Sequence, residues 1–342
     1  MSAATTRDLL FMSRALELAQ RGIGLTNPNP RVGAVIVRAG KIIGEGYHQK
    51  AGQPHAEINA IADAKKRGEK ISGATIYVTL EPCCTHGRTP PCTDAIKREK
   101  LKRVVIGAVD PNPHHAGHGL TILRRAGISV TSGVLAKESA ELNRDFNHWI
   151  TTGTPWVVAK IAMSLDGRIM PREGRWLTGP KARRVAHELR WQSDAILVGA
   201  ETVRVDNPQL TVRLPGRKGK VQPWRVVLTR SGKLPRTAQL FTDEFKERTL
   251  VFQSTPLKRV LQQLGKRGVT NVLLEGGGKL LGSAFAAGVV NEIAFFIAPQ
   301  IVGQGPQAIV LPQGKKWEAS ILPGTLTVEK VGVDCLVRGR VK

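Results

Sequence analysis

The stretch "ATIYVTLEPCCTHGRTPPCTDAI" (residues 74–96) begins as a strand, breaks into a Gly/Pro-rich loop bracketed by Cys83 and Cys92, and resumes as a helix. Its first seven residues are rich in the β-branched and aromatic types that suit a pleated, half-buried surface. One glycine and three prolines follow that run. Cys92 opens the helix that follows, where the dipole and the free backbone N–H groups favour a thiolate. A strand passes into a helix here through a loop that holds two candidate metal ligands.

Outward from this point the same alternation recurs. "RVGAVIVR" (residues 31–38) and "KRVVIGAV" (residues 102–109) read as strands, with helical patterns between them. The expected fold class is therefore α/β, with a largely parallel sheet and helices packed on its faces. At 342 residues the chain is long for one domain, and two units of roughly 150 to 200 residues are the natural expectation. After "ELNRDFNHWITTGTPW" the pattern restarts with "WVVAKIA", and "TTGTP" carries linker residues. This places the boundary near Thr151 and the domains at 1–150 and 151–342. Further strands are expected at "AILVG", "WRVVLT", "TLVFQ" and "VTNVLLE". At the N-terminus, "TTRDLLFMSRALELAQRG" has an apolar face at helical spacing and scattered charges, so it reads as an amphipathic helix capped by Thr6, not a signal peptide.

Composition removes several classes. No apolar run reaches the roughly 18 residues that span a bilayer, and no membrane partner is expected. Three of four cysteines cluster at Cys83, Cys84 and Cys92. Without an export signal, that clustering favours a reducing, cytoplasmic compartment and metal binding over disulfides. The net charge of +24 suits anionic partners, although dispersed Lys and Arg that only solvate the surface are the plainer reading of it. Aromatic residues make up only 5% of the chain, fewer than stacking platforms for single strands call for, which disfavours a nucleic-acid partner.

Upstream of the cysteines, "PHAEINAIA" (residues 54–62) sets His55 and Glu57 two apart at the start of an Ala-rich helix. Helix residues at i and i+2 do not face each other, so the two are poorly placed to ligate one ion together. They suit a division of labour in which His55 is a ligand and Glu57 moves protons. His55, Cys83 and Cys92 supply one imidazole and two thiolates, the composition of a catalytic zinc with its fourth position left for water. Cys84 as a fourth ligand would make the site structural instead. Zinc lowers the pKa of water from about 15.7 toward 7. A carboxylate at Glu57 would then take the water's proton and return it to departing ammonia, which is hydrolytic deamination of a ring amine.

The cysteines here are separated by eight residues, "CTHGRTPP", where nucleic-acid and nucleoside deaminases have C-x-x-C. With that spacing the chain resembles the bifunctional riboflavin-biosynthesis deaminase/reductases of bacteria. "NPNPRVGAVIV", "GEGYHQKAGQPHAE", "YVTLEPCCTHGRTPPC" and "DPNPHHAGHGL" are similar to the deaminase half. "AMSLDGRI", "RWLTG", "DNPQLTVR" and "LLEGGGKLLGSAF" are similar to the reductase half. The resemblance implies a cytidine-deaminase-like α/β/α domain followed by a dihydrofolate-reductase-like α/β domain, with Zn2+ and NADPH as cofactors. It implies deamination of 2,5-diamino-6-ribosylamino-4(3H)-pyrimidinone 5′-phosphate and then reduction of the ribosyl group to ribityl. The partners are thus small phosphorylated pyrimidines, and a homo-oligomer is expected.

Carried over by position, Asn29 and His48 contact the pyrimidine, His55, Cys83 and Cys92 bind zinc, and Glu57 is the proton shuttle. Lys160, Met163, Trp176, Thr202 and Asp206 line the nicotinamide site, while Gly277, Gly278, Gly282 and Ser283 hold cofactor phosphates. Arg190, Leu210, Arg213 and Glu275 meet the reductase substrate. The residues alone leave "NVLLEGGGKLLGSAF" open between a phosphate loop and a plain strand-to-helix turn. Arg190 and Arg213 suit a phosphate, and Arg230, just past "WRVVLT", suits a 2′-phosphate. The sequence departs from the family where Cys84 replaces Ser, where Thr85 replaces a substrate-holding His, and where Gly174 replaces a substrate-binding Ser in a shortened loop. His86 or Arg88 would then take over the role of that His. Two rivals are a tRNA-type deaminase with an accessory domain and a non-catalytic deaminase-like regulator. The first leaves the C-terminal half unexplained, and an intact Glu57 argues against the second.

Overall fold

A computed structural model of the chain describes residues 5–85, 90–113, 115–170, 174, 176–217, 219–314 and 318–342. The chain separates into two compact units, Met1–Thr152 and Gly153–Lys342.

The first unit opens with α1 (Thr6–Gln20), which is capped by Thr5 and not Thr6. Thr5 Oγ1 accepts the Asp8 N–H at 3.2 Å and Asp8 Oδ2 accepts the Thr5 N–H at 3.0 Å. This reciprocal pair needs the cap three residues before the carboxylate, a spacing that Thr6 lacks. Five strands follow: β1 (Gly33–Arg38), β2 (Lys41–Tyr47), β3 (Thr75–Leu80), β4 (Arg103–Ala108) and β5 (Ser129–Ser132). Their spatial order is β2-β1-β3-β4-β5. β1 alone runs against the other four strands, antiparallel to both β2 and β3, so the sheet is mixed where a largely parallel one was expected. The reason is local: Ala39 and Gly40 have φ of 49° and 77°, the left-handed pair that closes a two-residue hairpin and reverses the chain into β2.

Alternation along each strand builds both faces of this sheet. Ala34, Ile36, Ile76, Val78, Val104 and Ile106 pack under α2 (Ala56–Lys66), α3 (Cys92–Arg98) and α4 (His118–Arg125). Val35, Val37, Tyr77 and Val105 pack instead against Phe11, Met12, Ala15 and Leu18 of α1. The result is a three-layer α/β/α unit, ended by α5 (Ala136–Leu142) and α6 (Arg144–Thr152). That last helix runs through the expected boundary at 150 and 151.

The second unit contains β6 (Trp156–Ser164), α7 (Pro180–Gln192), β7 (Ala195–Gly199), α8 (Ala200–Asp206), β8 (Trp224–Thr229) and the short α9 (Gln239–Thr242). It continues with β9 (Thr249–Gln253), α10 (Leu257–Lys266), β10 (Asn271–Glu275), α11 (Gly278–Ala286), β11 (Glu292–Ala298), β12 (Thr327–Val331) and β13 (Asp334–Arg340). The eight strands lie in the order β12-β13-β11-β6-β10-β7-β8-β9. β11, β6, β10, β7, β8 and β9 run parallel, whereas β13 and β12 close one side as an antiparallel pair. The near-continuous apolar runs of the central strands follow from burial on both faces. Among the described residues no helix is long and apolar enough to cross a membrane.

Candidate functional site

In the first unit the site is built on the N-terminus of α2. Gly44 and Gly46 of β2 let this helix approach closely: a Cβ on Gly44 would lie 2.4 Å from the Ala60 carbonyl, and one on Gly46 2.3 Å from the Ala60 nitrogen. His55, the residue before the first helical turn, and Glu57 within that turn are thereby held beside the end of β3. The strand passes through Glu81 and Pro82 to Cys83, and Cys92 begins α3.

His55 Nδ1 lies 3.5 Å from Cys83 Sγ and 3.3 Å from Cys92 Sγ. The three ligand atoms all lie within 4.8 Å of one another. A tetrahedral zinc would hold sulfur and nitrogen ligands about 3.5 Å apart, so this donor set fits the ion. Its electrostatics fit as well. The Cys92 thiol donates to Cys83 and draws that thiol down, while Cys92 is pushed up by keeping the proton. Burial alone would keep both protonated, and only a cation lets both sulfurs ionise. Cys84 stands outside the set, with its Sγ 3.9 Å from His115 Nδ1.

Glu57 is 3% exposed. Burial, and then the Cys83 thiolate, push its carboxyl up to about 7, the range in which a carboxylate both accepts and donates protons at neutral pH. His48 stacks edge-on to His55 at 5.3 Å between ring centres. Its Nδ1 lies 3.1 Å from the Pro54 carbonyl, which can only accept, so Nδ1 carries the proton and Nε2 accepts from Asn29 Nδ2 at 3.1 Å. Burial lowers the His48 pKa and favours this neutral form. Asn29, His48, His55 and Glu57 are thus brought to one place. Arg88 and His86 lie outside the described residues.

Glu81 was not singled out from the sequence. Its carboxylate accepts the backbone N–H groups of Asp110 at 3.2 Å, Gly117 at 2.9 Å and Gly119 at 2.9 Å. It ties the "DPNPHHAGHGL" loop to the turn that carries Cys83. The available signal was an acidic residue directly after a strand and before Pro-Cys.

In the second unit Lys160 and Glu275 are register partners on β6 and β10. Arg190 grips Glu275 through two bonds of 2.6 and 2.9 Å, and Lys160 Nζ is 3.9 Å from the same carboxylate. Burial pushes the Glu275 carboxyl up, but Arg190 and Lys160 more than offset this and hold it at about 2. Arg190 Nη1 also donates to the Thr211 carbonyl at 3.2 Å. Arg213 is exposed and bonds Gln209 and Thr211 at 2.7 and 2.9 Å. Leu210 has φ of 50° and a side chain packed with Ile196, Val203 and Leu240, so only its backbone is placed to meet a ligand. Met163 lies on β6, Thr202 and Asp206 on α8, and the exposed Trp176 stacks under Arg183 at 5.0 Å. Arg230 is exposed just past β8. Gly174 has φ of 77°, a conformation that costs an L residue roughly 1–2 kcal/mol and so favours glycine there.

The glycines of α11 divide by environment. A Cβ on Gly278 would lie 2.1 Å from the Gln307 carbonyl, and one on Gly282 2.0 Å from that of Val310, so both are needed for helix-to-loop packing. On Gly277 the nearest atom, Ile169 Cδ1, would be 4.0 Å away, which leaves a cradle at the helix N-terminus open to a phosphate. Ser283 is exposed and bonds back to the Lys279 carbonyl. The expected result is that Gly282→Ala destabilises the C-terminal unit by roughly 1–3 kcal/mol through overpacking. Gly277→Ala should leave the melting temperature in place and raise the NADPH KM. Equal losses of stability in the two variants would count against this division.

Comparison with known proteins follows the same two halves. Residues 5–108 match the family model described as the cytidine and deoxycytidylate deaminase zinc-binding region, and residues 155–334 match the RibD C-terminal domain. The chain is 44% identical over 335 residues to riboflavin biosynthesis protein RibD of Actinobacillus pleuropneumoniae, covering 90% of this chain and 87% of that one. It is 43% identical over 321 residues to the RibD of Aquifex aeolicus, with coverage of 87% and 88%. Among solved structures, Acinetobacter baumannii RibD superimposes with a TM-score of 0.88 at 37% identity, covering 98% of this chain and 99% of that one. A diaminohydroxyphosphoribosylaminopyrimidine deaminase/5-amino-6-(5-phosphoribosylamino)uracil reductase from Thermotoga maritima gives 0.87 at 37%, with the same coverage.

Proposed function

The chain belongs to the RibD family of riboflavin-biosynthesis enzymes, and on that premise we propose which of its residues carry the family's two reactions. It is a bifunctional enzyme, a deaminase in its N-terminal half and a reductase in its C-terminal half, with zinc and NADPH as cofactors. A nucleic-acid deaminase with an accessory domain is not favoured, because the matched relatives span both halves. The substrates are phosphorylated pyrimidines: the diaminopyrimidinone ribotide, then its deaminated product.

Zinc held by His55, Cys83 and Cys92 would acidify water toward neutral pH, and NADPH would serve as the two-electron reductant. Glu57 takes up a proton on its carboxylate and delivers it to the departing amine, a role suited to its raised pKa. Asn29 and His48, locked to each other, orient the pyrimidine ring. In the reductase, Gly277 cradles cofactor phosphate, and Lys160, Met163, Trp176, Thr202 and Asp206 surround the nicotinamide. Arg190 and Glu275 fix the floor of the substrate site and Arg213 meets the phosphate. The enzyme is placed in the cytoplasm, where the ligand thiols stay reduced, and as a homo-oligomer whose mass light scattering would read directly.

The observation that carries this reading is the convergence of three ligand atoms within 4.8 Å beside a buried carboxylate that is not one of them. Its test supplies the diaminopyrimidinone ribotide with zinc and NADPH and follows ammonia release and NADPH oxidation separately. A chelator should stop ammonia release, yet spare NADPH oxidation when the deaminated product is supplied instead. Loss of NADPH oxidation on that second substrate would overturn the assignment of zinc to the first half alone.

A further inference from the structure

Helix α7 carries a residue that no sequence motif marks. His187 lies three positions before Arg190 and so shares its face of the helix. Its Nδ1 accepts the backbone N–H of Arg213 at 3.2 Å, which places the ring proton on Nε2. Arg190 Nη1 reaches the Thr211 carbonyl two residues earlier. On the opposite edge, Gln222 Oε1 accepts the Val212 N–H at 2.8 Å and its Nε2 donates to the Val212 carbonyl at 3.2 Å. In an extended chain the polar groups of residues 211 and 213 point one way and those of 212 the other. Side chains from α7 and from Gln222 therefore stand in for neighbouring strands and hold this segment from both sides.

Only a neutral imidazole can accept at Nδ1. Burial, and then Arg190 and Arg213, hold the His187 ring down at about 4, so it keeps that lone pair at neutral pH.

We propose that His187 is a positioning residue of the reductase: by accepting the Arg213 N–H it fixes the direction from which Arg213 meets the substrate phosphate. The inference rests on the reading that Arg213 binds that phosphate. The guanidinium is braced a second time by Gln209 and Thr211, so the backbone bond sets where the arm begins and these two set where it ends.

The test uses three variants of the full chain, assayed for NADPH oxidation with the deaminated ribotide. Asparagine can set an acceptor near the Nδ1 position, whereas glutamine reaches toward Nε2. His187→Ala and His187→Gln should raise the reductase KM by roughly threefold to tenfold, the loss of one hydrogen bond, with kcat within about twofold. His187→Asn should restore KM to near the wild-type value. Rescue by Gln and not by Asn, or an unchanged KM in His187→Ala, would overturn the proposal. Arg213→Ala, measured alongside, separates two failures. If it raises KM steeply while His187→Ala does not, positioning alone is wrong; if it leaves KM unchanged, the phosphate reading itself falls.

Discussion

Glu57→Gln should lower deaminase turnover by at least roughly 10²–10⁴-fold, the range for a lost general acid or base, while zinc content and NADPH oxidation stay at wild-type values. The substitution keeps the shape of the side chain and removes only its capacity to exchange a proton. Glu57 is not among the three converging ligand atoms, so the ion should be retained. Its burial and the nearby Cys83 thiolate both favour the protonated carboxyl, which means the wild-type group changes state readily during turnover and an amide cannot. Three measurements on one preparation decide the matter: metal per chain, ammonia release, and NADPH oxidation with the deaminated substrate. Loss of zinc would make Glu57 part of the metal shell, and near-normal ammonia release would remove it from the chemistry.

The second large effect is expected on stability. Arg31 donates to Asp145 at 3.0 and 2.6 Å and to the Leu142 carbonyl at 2.6 Å, and both charged side chains are under one tenth exposed. Asn143 brackets the same residue, accepting the Arg31 N–H at 2.7 Å and donating to its carbonyl at 2.9 Å. This clamp joins the "NPNPR" loop that bears Asn29 to α6. Arg31→Met would leave Asp145 buried without its cation, which costs about 3–5 kcal/mol. For a unit of this size that is a fall of roughly 6–20 °C in the melting transition of the N-terminal half, with the reductase transition unmoved. Burial pushes the Asp145 carboxyl up, but Arg31 holds it below its ordinary value. A lowered folded-state pKa stabilises above the unfolded value near 4, and this contribution fades as pH falls through the folded value. The gap between wild type and variant should therefore be widest near pH 7 and narrow below about pH 4. A gap that does not change with pH would mean that the loss comes from packing and not from the ion pair.

Much of this was legible in the sequence because it is short-range information. The strands at "RVGAVIVR", "ATIYVTL", "KRVVIGAV", "WVVAKIA", "AILVG", "WRVVLT", "TLVFQ" and "VTNVLLE" announce themselves by composition, and each overlaps a strand of the fold. β2 and β5 were harder to see. "KIIGEGY" carries two glycines that α2 needs for its close approach, and "SVTS" is only four residues long. β11, β12 and β13 were likewise not singled out.

By itself the sequence determined the α/β alternation, the chemical types of the metal donors and the membership of both halves in one enzyme family, since all three lie in residue identities and their spacing along the chain. What the tertiary structure alone decided is which groups pair and which lose water. Arg225, inside the apolar run "WRVVLT", is 1% exposed and bound to Asp243, the Leu240 carbonyl and Thr249. Gly282, within a glycine loop that suggests phosphate, serves contact with Val310. Arg190 and Glu275, 85 residues apart, form one buried pair. Hydrogen-bond partners and desolvation depend on atoms brought together from distant parts of the chain, and no local period or spacing encodes that proximity.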